Sequence, residues 1–222
     1  MKLDTEKIDS FTKILLEGNK IHSSNIIKQH ISENISFIDI YENLIKPALY
    51  KIGQLWEYNK ISVASEHLAT EIAGNLINEI LPYILSSPKN NKTIVLACVE
   101  GEEHKIGLKM VSDVFEKHGW HSLYIGSNTP RTELINFIEQ IKPDMIGLSM
   151  SMYINISSLE VTLKMITRNF PAIPTIIGGQ GLIYNGHEIA ARHGTYYIKN
   201  LNEIDSFLQL TIQNVITGEL HG

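Results

Sequence analysis

Several short clusters in this 222-residue sequence carry side chains able to do chemistry. Glu102 and His104 stand two apart in the segment Val99-Glu-Gly-Glu-Glu-His-Lys-Ile-Gly107. In extended chain, residues two apart point to the same side. The carboxylate can then accept a hydrogen bond from one imidazole nitrogen, which orients the ring and raises its basicity toward a metal at the other nitrogen. Gly107 lets a helix begin close to something bulky. Ser149-Met-Ser151 follows after 41 intervening residues, and Gly178-Gly179 after a further 26; both are small residues that leave room beside a backbone. In the first half of the chain Trp56 is separated by nine residues from Glu66-His67, with Ala69, Thr70, Ala73 and Gly74 as a face of small residues beyond. Each cluster alone also has a plainer reading. Glu102–His104 could be an ordinary exposed loop pair, and Trp56 with Glu66-His67 a close helix–helix contact with a capping glutamate.

The periodicity predicts which elements position these groups. Over roughly the first 85 residues Phe11, Ile14, Leu15, Ile21, Ile26, Ile27 and Ile31 recur at helical intervals. Leu44, Ile45, Ala48, Leu49, Ile52 and Leu55 share a second helical face, with Pro47 bending it or marking a local start. Asn59-Lys60 breaks that run, and Ser62 is an N-cap for a helix with the stripe Ala64, Leu68, Ile72, Leu76 and Ile80. This half reads as a four-helix bundle. Ser86-Ser-Pro-Lys-Asn-Asn91 is a polar linker. Beyond it, strands at Thr93–Val99, Ser122–Ile125, Met145–Met150, Thr175–Ile177 and Tyr196–Ile198 alternate with helices near 106–118, 130–141, 156–169, 185–193 and 202–216. Such alternation implies parallel pairing through right-handed crossovers. The expected class is α/β: a helical bundle over 1–87, then a doubly wound five-stranded parallel sheet, flavodoxin- or Rossmann-like, over 91–222. Ligands of such sheets bind beyond the carboxyl ends of the strands. Glu102 and His104 fall there, where a dinucleotide fold would carry a glycine-rich loop; neither G-x-G-x-x-G nor a Walker A sequence occurs.

Composition narrows the classes. A hydrophobic fraction of 43% supports a real core, and a formal charge of −5 counts against direct nucleic-acid binding. The one cysteine, Cys98, lies in an apolar run and reads as a small buried hydrophobe; alone it allows neither an internal disulfide nor a cysteine-based zinc site. The N-terminus lacks a signal-peptide pattern, and no apolar stretch approaches the ~20 residues of a membrane span, so a cytoplasmic protein without membrane contact is expected.

Taken together, Glu102-x-His104-x-x-Gly107, Ser149-x-Ser151 and Gly178-Gly179 at these spacings resemble the cobalamin-binding domain of methionine synthase, corrinoid methyl carriers and some mutases. The resemblance covers about 91–216. One departure is Ser151, where that family usually has leucine. The resemblance implies that His104 is the lower ligand to the cobalt of cobalamin, replacing the cofactor's own dimethylbenzimidazole, with Glu102 as its partner. It further implies that the displaced nucleotide tail threads past Ser149, Ser151, Gly178 and Gly179.

Ile52-Gly-Gln-Leu-Trp56 and Ile61-Ser-Val-Ala-Ser-Glu-His67 resemble the cap of cobalamin-dependent photoreceptors of the MerR-type regulator group. This implies that Trp56, Glu66 and His67 face the upper ligand of 5′-deoxyadenosylcobalamin. In that group a histidine directly after the tryptophan can bind cobalt after illumination; here Glu57 stands there. No counterpart of their N-terminal helix-turn-helix domain is expected here, where about ten residues precede the bundle. The expectation is a stand-alone cobalamin-binding module for light sensing and transcription regulation, more a sensor than an enzyme. Its output would pass through self-association as a homo-oligomer or through a separate effector protein. The alternative is a corrinoid methyl carrier using methylcobalamin; a mutase subunit and passive cobalamin storage are weaker rivals. His118 and His121 read as exposed turn residues, His187 and His193 as surface-helix residues, and Arg131 as a surface charge. Asn155 stands where it could extend the Glu102–His104 network.

Overall fold

A computed structural model describes residues 5–85 and 88–217, with side chains through 210. It separates into two compact units, Met1–Leu85 and Ser86–Gly222.

The first unit is all helical: α1 (Thr5–Leu16), α2 (Lys20–Ser32), α3 (Phe37–Ile40), α4 (Lys46–Glu57) and α5 (Val63–Ile84). A π-helical turn, Tyr41–Ile45, joins α3 to α4, so 37–57 runs as one helix and the unit is a four-helix bundle. Pro47 explains the widened turn. A proline ring clashes with the carbonyl four residues back, here that of Asn43, and the π-turn spans that residue, closed by the Lys46 N–H to the Tyr41 carbonyl. The chain leaves α4 through Asn59, whose φ of +54° is left-handed; its N–H donates to the Trp56 carbonyl and that of Lys60 to the Leu55 carbonyl. Ser62 then caps α5, its Oγ accepting the Ser65 N–H at 3.1 Å. This closure holds Trp56 in the last turn of one helix and Glu66-His67 in the first turns of the next.

The expected stripe on α5 needs correction. Ala64 and Leu68 are exposed, and the buried set is Ala69, Ile72, Ala73, Leu76, Ile77, Ile80 and Ile84. Each step of four residues advances about 40° around a 3.6-residue helix, so a strict i+4 row leaves the core within a few turns. Ile21, also expected in the core, is 78% exposed.

The second unit is a five-stranded parallel sheet in the order β2-β1-β3-β4-β5: β1 (Thr93–Cys98), β2 (His121–Gly126), β3 (Met145–Ser149), β4 (Thr175–Gly178) and β5 (Tyr196–Tyr197). The helices are α6 (Ile106–Lys117), α7 (Arg131–Ile141), α8 (Ile156–Asn169), α9 (Gly186–His193) and α10 (Leu201–Thr217). β1 and β3 read as continuous apolar runs because both of their faces are covered. Leu134 and Ile138 of α7, Leu159, Leu163 and Ile166 of α8, and Ile189 and Ala190 of α9 pack on one face with Val95, Ala97, Ile146 and Leu148. The strand order reverses between β1 and β3, so the loops leaving these neighbours diverge and open a crevice at their carboxyl ends.

His118 is not an exposed turn residue. Its side chain is 8% exposed, and Nε2 lies 2.8 Å from Asp205 of α10, which also accepts from Lys117. Burial pulls the Asp205 carboxyl upward, but those two hydrogen bonds outweigh it and hold the group below its ordinary value. His193 is likewise covered and pairs with Glu160 at 2.8 Å. Among the described residues no helix is long and apolar enough to cross a membrane.

Candidate cofactor site at the carboxyl edge of the sheet

Glu102 is the hub of the crevice. Its residue is 1% exposed, an unusual place for a carboxylate, and its oxygens divide between two loops. Oε1 accepts the His104 N–H at 3.0 Å and lies 2.5 Å from His104 Nδ1. Oε2 accepts the backbone N–H of Ser151 at 2.9 Å, that of Met152 at 2.8 Å, and Asn155 Nδ2 at 3.2 Å. Burial alone would raise the Glu102 pKa; the hydrogen bonds from His104, Met152 and Asn155 overcome it and bring the value down to about 2. The group is therefore a carboxylate at any physiological pH. With Nδ1 directed to that carboxylate, the ring nitrogen suited to a metal is Nε2, on a side chain that is 58% exposed.

At the ends of the central strands runs a row of small residues. Cys98, Ser149 and Gly178 are register partners at the ends of β1, β3 and β4. Cys98 is fully buried, and burial, with Glu102 and Glu103 nearby, pushes its thiol up to about 12, so it packs as a neutral small side chain. Gly179 has a φ of +112°, and a Cβ there would lie 2.3 Å from the Met150 carbonyl oxygen, so no other residue fits this close approach. Gly107, in the first turn of α6, differs: a Cβ there would meet nothing within 4 Å. Its bareness serves no packing of this chain. An open space, a row of small residues and a carboxylate-held imidazole together fit a large planar cofactor bearing a metal and a tail.

Several site residues appear in roles that their letters did not show. Ser151 contributes its backbone N–H rather than its hydroxyl, and so does Met152. Asn155 joins the network as its position allowed. Arg131 is no free surface charge: it pairs with Glu100 at 2.8 Å and donates to Thr162 and Ser158, while Ser158 Oγ donates to the Glu100 carbonyl at 2.8 Å. The loop that carries His104 is thus tied to α7, to α8 and to the loop after β3. These partners lie about 30 to 60 positions apart, so local pattern gave no signal for them.

The helical unit repeats the carboxylate–imidazole pairing. Glu66 Oε2 lies 2.5 Å from His67 Nδ1, and its Oε1 accepts from Thr70 Oγ1 at 2.7 Å. Trp56 is 46% exposed, with Leu68 and Val63 exposed as well. Gly53, one turn before Trp56, and Gly74, one turn after Thr70, would each carry a Cβ into open space. Mid-helix glycine costs about 1 kcal/mol against alanine, so these two positions leave open space on α4 and α5 at a helical cost.

Residues 92–199 match the family described as B12 binding domain, and residues 7–80 match a second family of the same description. Two curated relatives are HTH-type transcriptional repressors of Myxococcus xanthus. CarA is 23% identical over 151 residues, 68% of this chain and 50% of CarA; CarH is 26% identical over 141 residues, 63% of this chain and 46% of CarH. The chain spans about half the length of these relatives. The monomethylamine corrinoid protein of Methanosarcina barkeri shares the fold, with a TM-score of 0.77 at 14% identity over 94% of this chain and 100% of its own. The chain thus carries a pair of B12 binding domains, a helical one over 7–80 and one on the parallel sheet over 92–199.

Proposed function

We propose that the protein is a regulator that binds 5′-deoxyadenosylcobalamin with His104 as lower cobalt ligand and responds to light. The observation that carries the cofactor reading is the buried Glu102 carboxylate holding His104 Nδ1 at 2.5 Å. His104 would hold cobalt through Nε2, with Ser149, Ser151, Gly178 and Gly179 flanking the nucleotide tail and Gly107 leaving room for the ring. The helical unit would cap the opposite face, with Trp56, Glu66 and His67 toward the upper ligand. When bound, the cofactor supplies a cobalt–carbon bond that light can break.

The protein's own contribution is differential contact. A ligand shifts a conformational equilibrium only by as much as it prefers one state over the other. The exposed indole of Trp56 and the bare helix face at Gly53 and Gly74 suit a bulky upper group better than a water or methyl ligand. The names of CarA and CarH as transcriptional repressors support a regulatory output, through self-association or a separate effector. The second reading, a corrinoid methyl carrier, draws on the fold shared with the monomethylamine corrinoid protein.

One experiment separates these readings: the ultraviolet–visible spectrum of the chain with adenosylcobalamin in the dark and after green light, with molecular size measured in both states. The expected dark spectrum is base-off with histidine bound, changed by light together with size, and lost in His104→Ala. A spectrum and size indifferent to light would overturn the photosensory reading. Methyl transfer from the methylcobalamin-loaded chain to a thiol acceptor, catalysed by an added methyltransferase, would establish the carrier.

A further inference from the structure

The two oxygens of Glu102 serve two different walls of the crevice. Oε1 takes both donors of His104, while Oε2 takes the N–H groups of Ser151 and Met152 and the amide of Asn155. The segment that Oε2 grips is fastened on its far side to the glycine loop after β4. Met150 N–H donates to the Gly178 carbonyl at 3.0 Å, and Gly181 N–H to the Met150 carbonyl at 3.1 Å. Gly179 lies so close to Met150 that a single Cβ would not fit between them. A continuous run of short contacts therefore leads from Gly178–Gly181 through Met150–Met152 to Glu102 and on to the imidazole. Any displacement of the Ser149–Gly179 wall must move the donors on Oε2, and the rigid carboxylate passes that movement to Oε1.

We propose that Glu102 is a positioning residue that couples cobalt ligation by His104 to occupation of the tail pocket, so that the site selects corrinoids bearing a nucleotide tail over tail-less ones. This rests on the reading of His104 and of the Ser149–Gly179 wall given above. Coupling is reciprocal: the tail strengthens ligation by the factor by which ligation strengthens tail binding. A glutamine would keep the shape but offer one acceptor oxygen where the carboxylate has two, so one wall would face an amide NH₂.

The test uses two corrinoids that cannot ligate their own cobalt: cobinamide, which has no tail, and a cobamide whose tail ends in p-cresol. Each is titrated spectroscopically against the full chain, wild type and variants. His104→Ala is expected to weaken the tailed corrinoid about 10-fold more than it weakens cobinamide, within the usual range of coupling between sites. In the Glu102→Gln background that excess should vanish, both corrinoids losing equally. An excess already absent with Glu102 present, or one that survives Glu102→Gln, overturns the coupling. If neither corrinoid shows imidazole ligation in the wild type, the His104 reading fails instead, so the two failures are distinct. Should Glu102→Gln not fold, Asn155→Ala removes one donor from Oε2 and leaves Oε1 with His104. It should cut the excess to about 3-fold, and an unchanged excess would again overturn the proposal.

Discussion

A carboxylate that is 1% exposed yet titrates at about 2 makes the imidazole loop sensitive to acid in a predictable sense. An unfolded-state glutamate titrates at about 4.3. Because the folded value is lower, Glu102 contributes stability in full above that point, and the contribution falls as pH drops toward 2. Stability of the ligand-free protein, followed by denaturant midpoint, should therefore fall as the pH is lowered through 4 toward 2, and Glu102→Gln should flatten this dependence. Replacing Glu102 should also cost about 1–3 kcal/mol at neutral pH, the ordinary penalty for losing hydrogen bonds to a charged group. At Gly107 the sign reverses. Its Cβ position is open and helical, so Gly107→Ala should stabilise the ligand-free chain by about 0.5–1 kcal/mol while weakening corrinoid binding. Equal or tighter binding by that variant would show that the space serves no ligand. The Glu102–His104 pair was legible from its spacing of two, and Gly178-Gly179 from its small residues. The backbone roles of Ser151 and Met152 were not, since any residue type can donate an N–H.

At the scale of elements, periodicity placed all five strands within a residue or two; β1 and β3, covered on both faces, leave unbroken apolar runs, and the edge strands β2 and β5 follow from the alternation with helices. It missed the π-turn at Tyr41–Ile45, which depends on where the Pro47 ring meets a carbonyl rather than on any apolar pattern. It also misread Arg131 and His118, whose partners Glu100, Thr162 and Asp205 become neighbours only when loops and helices have folded together. Arg131 braces Glu100, two residues before Glu102, against α7 and α8, so Arg131→Ala should loosen the loop without touching the imidazole. The expected loss is a severalfold weaker hold on cobalamin with little change in overall stability, since a partly exposed ion pair contributes only about 0–1 kcal/mol. Competition binding against free cobalamin, alongside thermal melts, checks both halves of that expectation. Arg131→Lys, which cannot reproduce the forked contacts, should recover only part of the affinity.

For the molecule as a whole, a switch requires that the upper ligand, while present, favour one state strongly enough for its departure to release it. Converting a 1:99 population to 99:1 takes about 5.5 kcal/mol of differential binding. Covering the exposed 46% of Trp56 removes on the order of 90 Å² from water, worth about 2 kcal/mol, or a shift of about 30-fold. Trp56 alone therefore cannot complete such a switch. The remainder would come from other exposed groups of the helical unit, among them Val63, Leu68 and the Glu66–His67 pair. Two variants divide the burden. Trp56→Ala should reduce the light-dependent change in size, seen as a smaller shift in light-scattering mass between dark and lit adenosylcobalamin complexes, yet leave part of it. Gly74→Leu puts a side chain at an open position on the Glu66–Thr70 face, where a Cβ meets nothing within 4 Å in the ligand-free chain, and should weaken adenosylcobalamin far more than methylcobalamin. If both cofactors lose equally, that face does not read the upper ligand, and the switch would have to be sought in the His104 loop alone.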